Sequence, residues 1–164
     1  MLKKRVIPVV LIDNSGKVIK TENFKNPNYI GDVFNTIKIL NEYEVDEIIL
    51  LDIEATKKKL KPNFDLLKKL STEIFVPLSY GGGIDNLESI EKILSLGFEK
   101  VSINNASKNK NFINQACKTF GDQSIILSVD LMCNDELSIF DYVNETLKKI
   151  SLEELIKNIN DLKC

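Results

Sequence analysis

Histidine and tryptophan are both missing from the 164 residues. Without imidazole there can be no Ser-His-Asp triad, no Cys-His pair and none of the common histidine-bearing zinc sites, so proton transfer falls to carboxylates and lysines. Cysteine is sparse as well. Cys117, Cys133 and Cys164 show no metal-like spacing, and an odd number without a secretory signal predicts reduced, inert thiols. Neither sign of charge dominates, since 22 basic and 24 acidic residues mixed along the chain leave a formal charge of -2. Such a chain has no field to gather nucleic acid or an anionic membrane, and neither is expected as a partner. Long apolar runs are also absent. The opening MLKKRVIPVVLID has a basic start and an apolar run, but the run is short, lacks a small-residue cleavage site and falls below the roughly 20 residues of a spanning helix. It reads as a buried strand, and a cytoplasmic location is expected.

What is present is the composition of one globular domain, 43% hydrophobic and 28% charged, without a Pro, Gly or Ser-rich linker. Short runs of Val, Ile and Leu alternate with longer stretches at helical spacing, the pattern of βα units and a parallel sheet. Strands are expected near 5–12, 47–52, 74–79, 100–104 and 124–130, because buried parallel strands read as nearly continuous apolar runs. Helices are expected near 31–43, 63–72, 86–96, 109–119 and 151–162. Ile37 and Leu40, then Ile90, Ile93 and Leu94, then Phe112, Ala116 and Phe120 mark their core-facing stripes. Asp85 or Asn86 is placed to cap the third helix, and Gly97 to end it. After the second strand the repeat falls to about 25 residues, which suits a barrel of compact units whose usual full length is about 250 residues. The stretch 131–150 is the least regular and is expected to hold a short hairpin or a loop over the site.

In such an architecture the loops after the strands converge on one face, so polar residues there are site candidates. The first strand is followed by Asp13, Asn14, the turn at Gly16 and then Lys20; the second ends in Asp52. The third ends in Gly81, Gly82 and Gly83, the fourth in Asn104 and Asn105, and the fifth in Asp130. A glycine run between strand and helix exposes backbone N–H groups to an anion, although three glycines also make a sharp turn. Asn104 and Asn105, at the neighbouring strand end, can donate to phosphate oxygens. Asp130 is either a buried structural acid or a general acid/base with a raised pKa. Asp52 has the same two readings, with loop bracing the commoner. Lys20 either pairs with an anionic substrate or is solvated. At the opposite ends of the strands stand Arg5, Glu47 and Lys100, three charges around one opening, of a kind that is usually just solvated.

Taken together, RVIPV, the lysine of GKVIK, DEIILLDIEAT, FVPLSYGGGI, EKVSIN and IILSVD resemble the cyclase subunit of imidazole glycerol phosphate synthase, in family order and spacing over about 1–130. The resemblance implies an α/β fold, an incomplete (β/α)8 TIM barrel of about five βα units, with 1–164 the N-terminal part of a single domain. It implies a histidine-biosynthesis lyase or cyclase that uses ammonia from a partner glutaminase, as a heterodimer, to break and cyclise a phosphorylated small-molecule substrate. No cofactor and no metal are implied. By motif position Asp130 matches one of two acid/base aspartates and Lys20 a lysine near the substrate. Gly82, Gly83, Asn104 and Asn105 match one phosphate site, and Arg5, Glu47 and Lys100 match three members of a charged ammonia gate.

The sequence departs from that pattern at Leu11, which stands where the family has its other catalytic aspartate. Leucine cannot transfer a proton, and Asp13 lies two residues further on. Leu11, the extra residue before Gly16 and the segment KNPNYIGD look similar to a divergent branch associated with ammonia delivery for acetamidino sugars of surface polysaccharide. A third reading is a truncated, non-catalytic chain that binds the glutaminase or self-associates, since five βα units leave open sheet edges.

Overall fold

A computed structural model of the chain describes residues 4–22, 24–133 and 136–161. Five strands form its parallel sheet: β1 (Val9–Ile12), β4 (Ile48–Asp52), β5 (Leu78–Gly81), β6 (Lys100–Ile103) and β7 (Ile125–Leu127). β2 (Lys17–Glu22) and β3 (Lys25–Asp32) form an antiparallel hairpin on the β1 side, giving the order β3-β2-β1-β4-β5-β6-β7. The sheet does not close on itself among the described residues. It is an α/β, incomplete barrel: the strand and helix alternation implied the parallel βα units, and the family resemblance the unfinished barrel.

Helices α1 (Val33–Glu42), α2 (Phe64–Ser71), α3 (Leu87–Ser95), α4 (Lys110–Phe120) and α5 (Leu152–Asn160) fall inside or within a residue of the expected spans. Each of the first four starts on an Asp or Asn whose side chain accepts a backbone N–H of the first turn: Asp32, Asn63, Asn86 and Asn109. Gly97 takes a left-handed φ of 97° just after α3, where a side chain would be strained.

Alternation along the strands separates two faces. Val10, Ile12, Leu50, Leu78, Tyr80, Val101 and Ile103 pack under the helices against Ile37, Leu67, Leu70, Ile90, Ile93, Ile113 and Ala116. The other face carries Leu11, Ile49, Leu51 and Ile126, all half-buried, with Ser79, Gly81 and Ser102 buried among them.

Three expectations are corrected. β5 begins at Leu78 rather than near 74, because Phe75 is 90% exposed and Pro77 has no N–H to place in a ladder. The β2–β3 hairpin was not foreseen as strands. Cys117, expected as a reduced thiol, is buried and disulfide-bonded, whereas Cys133 is a free exposed thiol. The stretch after Asp130 forms a small antiparallel meander of β8 (Leu131–Cys133), β9 (Leu137–Asp141) and β10 (Thr146–Lys149).

Candidate functional site

The sheet register aligns the two ends of the strands. Ile12 stands opposite Asp52, Leu51 opposite Gly81, and Gly81 opposite Ser102, so the loops that follow β1, β4, β5 and β6 emerge side by side. Gly82 and Gly83 continue from β5 with φ of 122° and 67°. A Cβ on Gly82 would lie 2.4 Å from the Asp52 carbonyl oxygen, and one on Gly83 2.6 Å from that of Leu60. Only glycine lets this loop lie so close to the loop after β4. Gly83 N donates to Thr56 Oγ1 at 3.0 Å.

Asn104 follows β6, and its Nδ2 donates to Asp130 Oδ2 at 3.0 Å, joining two of the sequence candidates directly. Burial pushes the Asp130 carboxyl above its ordinary value, with the Asn104 hydrogen bond opposing. The Asp130 carbonyl accepts Phe140 N at 2.8 Å, so the acid sits where the sheet hands over to the meander. Asn105 opens a 3-10 turn, and its Oδ1 accepts Lys108 Nζ at 2.8 Å.

Asp52 braces its own loop. Its Oδ1 accepts Glu54 N and Ala55 N, both at 2.9 Å, and Oδ2 accepts Asn14 Nδ2 at 3.1 Å. Burial raises its pKa despite these bonds. Asp13 is equally committed. Its Oδ1 accepts Ser15 N, Ser15 Oγ and Lys17 N, fixing the β1–β2 turn and helping to hold the carboxyl low against burial. Leu11 lies on the half-buried face, in register with Leu51. Lys20 is exposed on β2 opposite Asn28, and its side chain makes no hydrogen bond or ion pair among the described residues.

The meander reaches over this end. Phe140 stacks on Phe24 of the β2–β3 hairpin with ring centroids 4.7 Å apart. Lys57 pairs with Glu145, and Lys108 with Asp141 at 2.7 Å. Burial raises the Tyr142 phenol, Thr56 opposes that, and Asp130, Asp141 and Asp52 add to it.

At the other end Glu47 is 2% exposed just before β4. Lys100 Nζ donates to both of its oxygens at 2.9 Å, Arg5 Nη2 to Oε2 at 2.9 Å and Ser79 Oγ to Oε1 at 2.8 Å. Burial works against ionisation, but Lys100, Ser79 and Arg5 outweigh it and hold the carboxyl below its usual range. Arg5, Glu47 and Lys100 are thus one connected cluster, not three solvated side chains.

A family model described as histidine biosynthesis protein matches residues 5–164. The chain belongs to this histidine biosynthesis family. It is similar to a Pseudomonas aeruginosa protein provisionally named imidazole glycerol phosphate synthase subunit hisF2, 48% identical over 131 residues, 79% of this chain and 52% of the relative. A Leptospira interrogans protein provisionally named subunit HisF of the same synthase is 38% identical over 162 residues, 96% of this chain and 63% of its own. Imidazole glycerol phosphate synthase subunit HisF of Lactococcus lactis is 39% identical over 142 residues, 86% of this chain and 54% of its own. The chain of this family member therefore spans between half and two thirds of the length of these relatives.

Sequence reasoning missed several residues of the family member's two ends: Thr56 on Gly83, Ser79 on Glu47, and Lys108 on Asn105. Thr56 and Ser79 were inside quoted motifs, DIEAT and PLSYGGG, but a lone hydroxyl carries no spacing signal. No helix among the described residues is long and apolar enough to cross a membrane.

Proposed function

We propose that this chain is the N-terminal part of an ammonia-using cyclase subunit of the imidazole glycerol phosphate synthase type, acting with a glutaminase on a phosphorylated substrate. The observation that carries the reading is the Glu47 cluster. A carboxylate 2% exposed, held by Arg5, Lys100 and Ser79 at the strand starts, is an ionised group kept at the far end of the sheet from Asp130. Burying an ion is expensive unless its partners are organised, so a function at that opening explains its presence better than surface solvation does. Arg5, Glu47 and Lys100 are assigned as the gate through which ammonia passes. Val6, Tyr43 and Phe75 are 67%, 76% and 90% exposed in the connections at that same end, an apolar rim suited to a docked glutaminase.

At the other end Gly82, Gly83, Asn104 and Asn105 are assigned to a substrate phosphate, and Asp130 to proton transfer, its raised pKa keeping a proton available closer to neutrality. Lys20 is assigned to the anionic substrate. The test is to supply the complete protein with the histidine-pathway substrate and an ammonium salt, then with glutamine and the glutaminase. Turnover in both supports the reading; none in either, with a folded protein, removes the cyclase function.

Leu11 favours a second reading, ammonia delivery for acetamidino-sugar synthesis without cyclisation. Asp13, the carboxylate two residues further along the chain, is already tied to Ser15 and Lys17 and is a poor replacement. Under this reading the complete protein supports ammonia-dependent modification of a nucleotide-linked sugar by a separate amidotransferase but leaves the histidine-pathway substrate unchanged.

A further inference from the structure

Three donors lie on the adjacent loops that follow β4, β5 and β6, one of them in the glycine loop 81–83, and each is taken by an oxygen of the protein itself. Gly83 N donates to Thr56 Oγ1 at 3.0 Å. The neighbouring Lys57 pairs with Glu145. Lys108 donates to Asp141 Oδ2 at 2.7 Å and to Asn105 Oδ1 at 2.8 Å. Strand order makes the arrangement informative: β4, β5 and β6 are neighbours, so the loops bearing Lys57 and Lys108 flank the glycine loop on its two sides. The β9–β10 turn supplies both carboxylates and so reaches from one flank to the other.

Both lysines lie at the surface, free to turn to another acceptor. Lys57 and Glu145 are 52% and 59% exposed, a setting in which ion pairs contribute only about 0–1 kcal/mol, and Lys108 is 61% exposed although its partner Asp141 is only 19% exposed. A phosphate group offers more charge and more acceptor oxygens than one carboxylate, and pairs better with two lysines. The turn would survive the exchange. Asp141 also accepts Val143 N at 3.0 Å, Asn144 N at 3.1 Å and Asn144 Nδ2 at 2.9 Å, so it remains braced once Lys108 has left.

We propose that Lys57 and Lys108 are further ligands for a phosphorylated small molecule at the glycine loop, and that Glu145 and Asp141 hold them until the phosphate replaces the carboxylates. The proposal rests on the reading of that loop as a phosphate site. Inorganic phosphate titrated calorimetrically into the full chain tests it. Lys57→Ala and Lys108→Ala should each weaken binding about three- to tenfold. Glu145→Gln should tighten it about two- to fivefold, because a neutral amide competes less well for Lys57. Lysine variants that bind as the parent does, or a Glu145→Gln protein that binds more weakly, overturn the proposal. Gly82→Ala and, should that variant fold poorly, Asn104→Ala separate it from the underlying reading. Binding lost in these two but unchanged in the lysine variants refutes the lysine assignment alone. No phosphate binding by the parent, or binding indifferent to both, refutes the phosphate loop and this proposal with it.

Discussion

Replacing Glu47 by glutamine keeps the shape of the side chain and removes its charge and one acceptor. If the amide oxygen takes the Oε1 position, it retains Ser79 and one Lys100 contact, while the amide nitrogen then faces Lys100 and Arg5, which had donated to Oε2 at 2.9 Å. Two charge-assisted bonds are lost. Each would contribute about 1.5–3 kcal/mol if fully buried. The Arg5 side chain is 50% exposed, so its share falls to about 0.5 kcal/mol, and the whole change should cost about 2–3 kcal/mol at neutral pH. For a chain of this size that corresponds to a melting temperature lower by about 5–10 °C. The pH dependence is the sharper readout. The Glu47 carboxyl is held below its ordinary 4.5 in the folded protein, so its contribution is complete above that value and is lost as pH falls through the folded pKa. Thermal melts of parent and variant between about pH 3 and 8 should therefore show a gap that is widest at neutrality and closes on the acid side. A gap that stays flat with pH, or that is smaller than about 0.5 kcal/mol throughout, would show that the cluster is not coupled as its geometry indicates.

Asp130→Asn should behave oppositely in stability and destructively in activity. A raised folded pKa means the native state loses stability as pH rises above the ordinary 3.8, so the amide should melt slightly higher at neutral pH, by about 0.5–1 kcal/mol, while ammonia-dependent turnover falls at least about 100-fold. Unchanged turnover would remove Asp130 from the chemistry. Gly82→Ala should cost about 2 kcal/mol or more in chemical denaturation, from a φ of 122° and a Cβ 2.4 Å from the Asp52 carbonyl oxygen. Leu11→Asp should lower stability by about 1–2 kcal/mol, because the site is half-buried, and, under the proposed cyclase reading, raise turnover of the histidine-pathway substrate in the complete protein if cyclisation needs an acid at this position. No gain in a folded variant would place the limit elsewhere.

The helices were legible almost to the residue because each carries its own local signals, as in Asn86 capping α3 and Gly97 ending it with a positive φ. The five parallel strands were legible as apolar runs, but Phe75 was drawn into the third by hydrophobicity although it is 90% exposed. The β2–β3 hairpin escaped because KVIKTE and KNPNYIGD mix charged and apolar residues, and the exposed β3 has little core-facing periodicity to detect. Among site candidates, the three charged strand starts read as solvated from position alone and as a group only through the family resemblance; their union depends on the 42-residue and 53-residue separations that the fold closes.

By itself, then, the sequence determined the repeating βα plan, the helix limits and the motifs that mark the family, because capping, turn chemistry and hydrophobic periodicity act over a few residues. Tertiary structure decided which distant polar groups became partners: Asn104 with Asp130, Gly83 with Thr56, and Glu47 with Arg5, Lys100 and Ser79. Those pairings depend on strand order and register, and on loops brought together only when the sheet assembles, which is information no short stretch of chain contains.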